Sequence, residues 1–138
     1  DLTIEESALW ITATDAHHIN RVYVVAPSTS DARLAEVTKA CSGFIYAASL
    51  MGVTGARASI SGAAGELVGR IRKVSQLPVA VGLGVSNADQ AKQVAAYADG
   101  VIVGSAFIKL VLESKSDHEA LERVKTLASE LAAGVRRS

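Results

Sequence analysis

Leu77-Pro-Val-Ala-Val-Gly-Leu-Gly-Val-Ser86 is a short β-branched apolar run that ends in glycines and a helix-capping serine. A run this short and this continuous in hydrophobicity fits a parallel strand buried on both faces. Three runs of the same kind flank it: Arg21-Val-Tyr-Val-Val25, Gly43-Phe-Ile-Tyr-Ala-Ala48 and Gly100-Val-Ile-Val103. Between them lie apolar stripes at helical spacing: Ile4, Ala8 and Ile11; Leu34, Val37 and Cys41; Leu67, Ile71 and Val74; Leu121, Val124, Ala128, Leu131 and Val135. Thr3-x-x-Glu6 and Ser116-x-x-Glu119 read as capping boxes, and Ser86-x-x-Asp89 as a weaker one. Ser28 or Thr29 is expected to cap the helix that carries Leu34. The order α, β, α, β, α, β, α, β, α, with a short apolar turn at 106–112, predicts an α/β fold over residues 1–138. Its four parallel strands are joined by right-handed crossovers.

The composition narrows the function. Fourteen Lys and Arg balance fourteen Asp and Glu, so the net charge is zero, without the basic footprint of a nucleic-acid binder or a polybasic membrane-surface protein. With 49% hydrophobic and 20% charged residues the chain is globular, not disordered. The single cysteine, Cys41, excludes an internal disulfide, a multi-cysteine zinc site and a CxxC redox pair. No apolar run reaches membrane-spanning length. The chain opens on Asp1, with neither an initiator Met nor a signal-peptide pattern, so part of the protein is expected upstream.

Ligands of parallel α/β proteins bind at the carboxyl ends of the strands. Three of the four ends here carry glycines: Gly52-Val-Thr-Gly55, Gly82-Leu-Gly-Val-Ser86 and Gly104-Ser105-Ala106. Backbone N–H groups free of Cβ interference, together with a helix N-terminus, make an anion site, so phosphate is the expected ligand. The unit after the second strand is about a dozen residues longer than its neighbours, and the excess, at Ser49–Gly65, reads as a functional loop.

No carboxylate stands at any of the four strand ends. Asp99 enters the last strand at its opposite end, which points to stability. His17, His18 and His118 suit helix-terminal or surface positions, Cys41 a buried inert thiol, and Trp10 helix or interface packing. Tyr46 shares a strand face with Phe44 and Ala48, opposite Ile45 and Ala47. It can present its ring and hydroxyl to a ligand or pack in a core, and the pattern leaves both open.

Gly43-Phe-Ile-Tyr46 followed by Ser49-x-x-Gly52-Val-Thr-Gly-Ala-Arg57 resembles loop six of the tryptophan synthase alpha subunit family. Leu77 to Ser86 resembles that family's seventh strand and loop, and Ala98-Asp-Gly-Val-Ile-Val-Gly-Ser105 its eighth. Asp1-Leu-Thr-Ile-Glu-Glu6 is similar to the segment after its fourth strand, in the style of actinobacterial members. The resemblance implies a TIM (β/α)8 barrel, of which residues 1–138 are the C-terminal half, strands five to eight with helices four to eight.

It further implies a cytoplasmic lyase of tryptophan biosynthesis that cleaves indole-3-glycerol phosphate to indole and glyceraldehyde 3-phosphate. The alpha subunit needs no cofactor or metal. It pairs in a heterotetramer with a beta subunit, which carries pyridoxal phosphate. By matched position, Gly55, Gly84, Gly104 and Ser105 would hold the substrate phosphate. Tyr46 would line the glycerol-phosphate region, and Val24 and Leu83 would pack near the indole, Leu83 replacing a common Phe. Thr54 would belong to the lid, and Asp1 would support a neighbouring loop. The family's catalytic Glu and Asp come from the other half of the barrel, so none is assigned here and the isolated chain is expected to be inactive. Two alternatives are another phosphate-binding barrel enzyme and a non-catalytic open-sheet binding module.

Overall fold

A computed structural model describes residues 2–48, 57–82 and 84–136, with side chains from residue 62 onward in the helix that starts at residue 57. The elements run α1 (Ala8–Ala16), β1 (Val24–Val25), α2 (Asp31–Ala40), β2 (Ile45–Ala48), α3 (Arg57–Arg72), β3 (Val79–Gly82), α4 (Ala88–Ala95), β4 (Gly100–Ile102), α5 (Ser105–Glu113) and α6 (Asp117–Val135). The strands form one parallel sheet in sequential order, β1-β2-β3-β4. Right-handed crossovers between adjacent strands in this order put every connecting helix on the same side. Such a sheet is an arc of a barrel. An open-sheet module with helices on both faces is thereby excluded.

The register explains the core. Val25, Ile45, Ala47, Val79 and Val81 share one face and are almost wholly buried. They pack with Leu34 and Val37 of α2, Leu67, Val68 and Ile71 of α3, Ala91 and Val94 of α4, and Leu127 and Leu131 of α6. The other face carries Val24, Tyr46, Ala80 and Gly100 in one row and Ala48, Gly82 and Ile102 in the next. No residue of that face is buried, and Val24 remains 41% exposed. The expectation of burial on both faces therefore holds for one face only. The continuous hydrophobicity of the strands reports a second apolar environment that the described residues do not supply.

Several local expectations shift. Ser30, not Ser28 or Thr29, caps α2 by accepting from the Arg33 N–H at 3.3 Å, while Thr29 Oγ1 accepts from the Ala26 N–H at 3.0 Å and closes the turn before it. The α4 box lies one residue on. Asn87 Oδ1 accepts from the Gln90 N–H at 2.9 Å, and Gln90 Oε1 accepts from the Ser86 N–H at 2.8 Å. At α6, Ser116 caps as expected, but Glu119 reaches back to the Lys115 N–H, at 2.9 Å. Thr3 and Glu6 close a turn, and α1 begins only at Ala8, after Ser7.

The loop expected over 49–65 is cut short. The buried stripe Ala64, Leu67, Val68, Ile71 carries α3 through Gly62 and Gly65, where a side chain would meet nothing. The turn expected at 106–112 is a nine-residue helix, α5. Val74 lies beyond the end of α3 and Leu121 is exposed, whereas Leu127, outside the expected stripe, is buried. A helix of 19 residues packed on both α4 and α5 buries different sides along its length.

Asp99 supports the sheet from below. Its Oδ2 accepts the Val79 N–H at 2.9 Å, its own N–H donates to the Val79 carbonyl at 2.9 Å, and Arg72 pairs with Oδ1 at 3.2 Å.

Candidate functional site

The carboxyl ends of β2, β3 and β4 lie side by side, with Ala48 opposite Gly82 and Gly82 opposite Ile102. Tyr46 stands on the uncovered face, in register with Val24 on one side and Ala80 on the other. Its ring leans across β3: a Cβ on Gly82 would sit 2.6 Å from the Tyr46 hydroxyl and 2.7 Å from Cε2. Gly82 is therefore part of the site. The strand-end glycines hint at it, but its pairing with Tyr46 is not legible in one dimension.

Beyond β3, Gly84 has φ of 68°, a left-handed conformation that glycine adopts without strain. Beyond β4, Gly104 is the N-cap of α5 and has no side chain to satisfy the first-turn donors. Its carbonyl accepts from Phe107 at 3.0 Å and Ile108 at 3.3 Å, which leaves the Ser105 and Ala106 N–H groups as the orphan donors of that turn. Gly104 and Ser105 are exposed, and a Cβ at Gly104 would meet nothing. Backbone donors with unobstructed approach and the positive end of a helix are the requirements of an anion site. The structure thus brings Val24, Tyr46, Gly84, Gly104 and Ser105 to the open face and one end of the sheet. Asp1, Thr54, Gly55 and Leu83 lie outside the described residues.

The other candidates fall elsewhere. His17 is the exposed C-cap of α1, and His118 is exposed in the first turn of α6. Cys41 ends α2 in the core, where burial pushes its thiol pKa up and leaves it a poor nucleophile. Trp10 is 48% exposed on α1. Among the described residues, no cluster of three or more His, Cys, Asp or Glu could hold a metal ion.

A groove of about 550 Å³ separates α5 from α6, in which Arg123 pairs with Glu113 at 3.6 Å and Lys109 with Glu113 at 3.8 Å. No glycine lines it. It is a cleft between packed helices that reaches Ser86 and Ala106 beside the strand ends.

Comparison with known proteins agrees with this geometry. The family model described as tryptophan synthase alpha chain matches residues 1–136. The tryptophan synthase alpha chain of Streptomyces avermitilis is 60% identical over 136 residues, covering 99% of this chain and 49% of the relative. That of Streptomyces coelicolor is 59% identical, covering 99% and 50%. Among solved structures, tryptophan synthase from Mycobacterium tuberculosis superimposes with a TM-score of 0.86 at 50% identity, covering all of this chain and 50% of that one. A mutant alpha-subunit from Pyrococcus furiosus does so at 0.79 and 33% identity, covering 96% and 53%. The chain spans about half the length of the curated relatives it matches, and its four βα units are half of a TIM (β/α)8 barrel. The matched family model and the sequential, one-sided sheet lead to the same conclusion: the chain belongs to the tryptophan synthase alpha chain family.

Proposed function

We propose that this chain supplies the phosphate-binding, lid-bearing half of an indole-3-glycerol-phosphate lyase that acts with a beta subunit. The observation that carries the proposal is the pair of neighbouring strand ends. Gly84 is in a left-handed turn, and Gly104 opens α5 without a side-chain cap, on the sheet that presents Tyr46. In this reading the backbone N–H groups of Gly55, Gly84, Gly104 and Ser105, with the Ser105 hydroxyl, hold the substrate phosphate. Tyr46 lines the glycerol-phosphate chain, Val24 and Leu83 contact the indole, Thr54 closes with the lid, and Asp1 supports the adjoining loop.

The reaction is a retro-aldol cleavage. An acid protonates indole C3 and a base takes the proton from the hydroxyl on the carbon attached to C3. The C–C bond then breaks, its electrons return to the indole ring, and the alkoxide carbon becomes the aldehyde. The chain's residues bind and orient; the acid and base belong to the family's other half. The isolated chain is accordingly inactive, and the complete subunit is a cytoplasmic enzyme with no cofactor of its own. Among the described residues no helix is long and apolar enough to cross a membrane.

Titration of the isotope-labelled chain with inorganic phosphate and with glyceraldehyde 3-phosphate tests the site. The expected result is a set of amide shifts centred on Gly84, Gly104 and Ser105, reduced by Ser105→Ala, with no indole released from indole-3-glycerol phosphate. Shifts confined to the α5–α6 groove, or turnover by this chain alone, would overturn the reading.

A further inference from the structure

Val85 and Ser86 separate the left-handed Gly84 from Asn87, the N-cap of α4. Both are anchored. The Val85 side chain is 3% exposed and belongs to the core. Ser86 is exposed, and Gln90, in the first turn of α4, takes both of its donors. Gln90 Oε1 accepts the Ser86 N–H at 2.8 Å and the Ser86 hydroxyl at 3.2 Å. The Gln90 N–H donates to Asn87 Oδ1 at 2.9 Å, so the helix cap and the bond to the loop use different atoms of one residue. An ordinary capping box returns the side chain to the N–H of the N-cap itself. Here it reaches one residue further, into the segment that carries Gly84.

We infer that Gln90 is a positioning residue for phosphate: it fixes the Gly84–Ser86 segment, so that the Gly84 N–H keeps its direction towards the anion. This role presupposes the phosphate site proposed above and names what holds that site in shape. A glycine backbone is the most permissive in the chain, so a single conformation at Gly84 has to be imposed by its neighbours. Val85 sets the depth of the segment in the core, and the twice-bonded Gln90 oxygen sets its exposed end. The acceptor is also uncharged. At α6 the equivalent bond, to the Lys115 N–H, comes from the carboxylate of Glu119. A carboxylate at Gln90 would hold the same donors but set a negative charge near the phosphate, where like charges repel.

Inorganic phosphate titrated into the isotope-labelled chain, followed at the Gly84, Gly104 and Ser105 amides, tests this role with three variants. Gln90→Ala should keep native-like circular dichroism and shift the Ser86 amide before any phosphate is added. It should weaken phosphate binding ~10-fold, since a misplaced donor is costly. Asn87→Ala removes the other bond of the same turn. It should lower the unfolding midpoint, as loss of a cap does, and leave the phosphate affinity unchanged. Gln90→Glu keeps an acceptor oxygen. It should bind more weakly than wild type at low salt and match it at about 0.5 M salt, where the added charge is screened. Wild-type affinity in Gln90→Ala, an equal loss in Asn87→Ala, or no recovery of Gln90→Glu at high salt would overturn the role of Gln90 and leave the phosphate site standing. A wild-type chain whose Gly84 amide ignores phosphate would overturn both.

Discussion

The Tyr46 ring occupies the space over Gly82 on the neighbouring strand, where a Cβ would come within 2.6 Å of the hydroxyl and 3.0 Å of Cζ. The two residues are 36 positions apart in sequence, yet the parallel register of β2 and β3 makes them neighbours. Tyr46 can lean across the open face because Gly82 has no side chain.

Gly82→Ala should move the ring without unfolding the chain. The opposing atoms are the far end of a side chain on an uncovered face, so the ring can swing aside, and the stability cost should stay near ~1 kcal/mol or below. The effect should vanish when Tyr46 is already Ala. A double-mutant cycle read by chemical denaturation, with the Tyr46 ring signals followed by NMR, checks both points. Equal cost in the two backgrounds would remove the contact from consideration.

Gly134→Ala should be worse, although Gly134 is in a helix, where alanine is ordinarily preferred. Its Cβ would lie 2.4 Å from the Ala88 carbonyl oxygen, a backbone atom at the start of α4 that cannot rotate away. The α4–α6 contact must open, at a cost of about 1–3 kcal/mol. Urea unfolding should show a lower midpoint at unchanged slope. A stabilised variant would contradict the close approach.

Asp99 is expected to act through its bond to the backbone more than through its ion pair. Arg72 and Asp99 side chains are 48% and 40% exposed, so their attraction is screened and contributes little. The Val79 N–H is buried at the start of β3 and loses an acceptor in Asp99→Ala, for about 1–3 kcal/mol. Asp99→Asn keeps an oxygen in place and should cost less. Thermal unfolding of both variants separates the contributions: equal losses would favour the ion pair instead.

Glu5 gives the chain an acid-sensitive contact. The hydrogen bonds from Arg33 lower its carboxyl from 4.5 to about 2, with Arg33 Nη2 at 2.6 Å from Oε2. Because the folded value lies below the unfolded one, the stabilisation is fully present above about pH 4.5. It fades as the pH falls through about 2. Carboxyl NMR titration should place the Glu5 midpoint well below that of a free glutamate, and Arg33→Ala should bring it back towards 4.5. High salt should shrink the shift, since the carboxylate is exposed.

Which features were legible in one dimension follows from their range. The four strands and their helices appear as local periodicities. The strand-end glycines at 84 and 104 mark donors whose role depends on their own backbone and the turn that follows. Caps were harder. Ser28, Thr29 and Ser30 are adjacent hydroxyls, and only the hydrogen bond to Arg33 selects Ser30. At α4, Ser86 and Asn87 compete in the same way, and Gln90 decides by bonding both. The stretch from Gly62 to Gly65 reads as the end of a glycine-rich loop, yet the buried face of Ala64, Leu67, Val68 and Ile71 offsets the low helix propensity of its glycines.

The sequence by itself determined the α/β class, the parallel connection, the family and the absence of a carboxylate at the strand ends, because each resides in residues close together along the chain. Only the tertiary structure decided that the strands bury one face and leave the other open, that Gly82 makes room for Tyr46, and that Gly134 meets Ala88. Those relationships join residues far apart in sequence. They are set by the register of the sheet and the packing of helices on it, which no local pattern encodes.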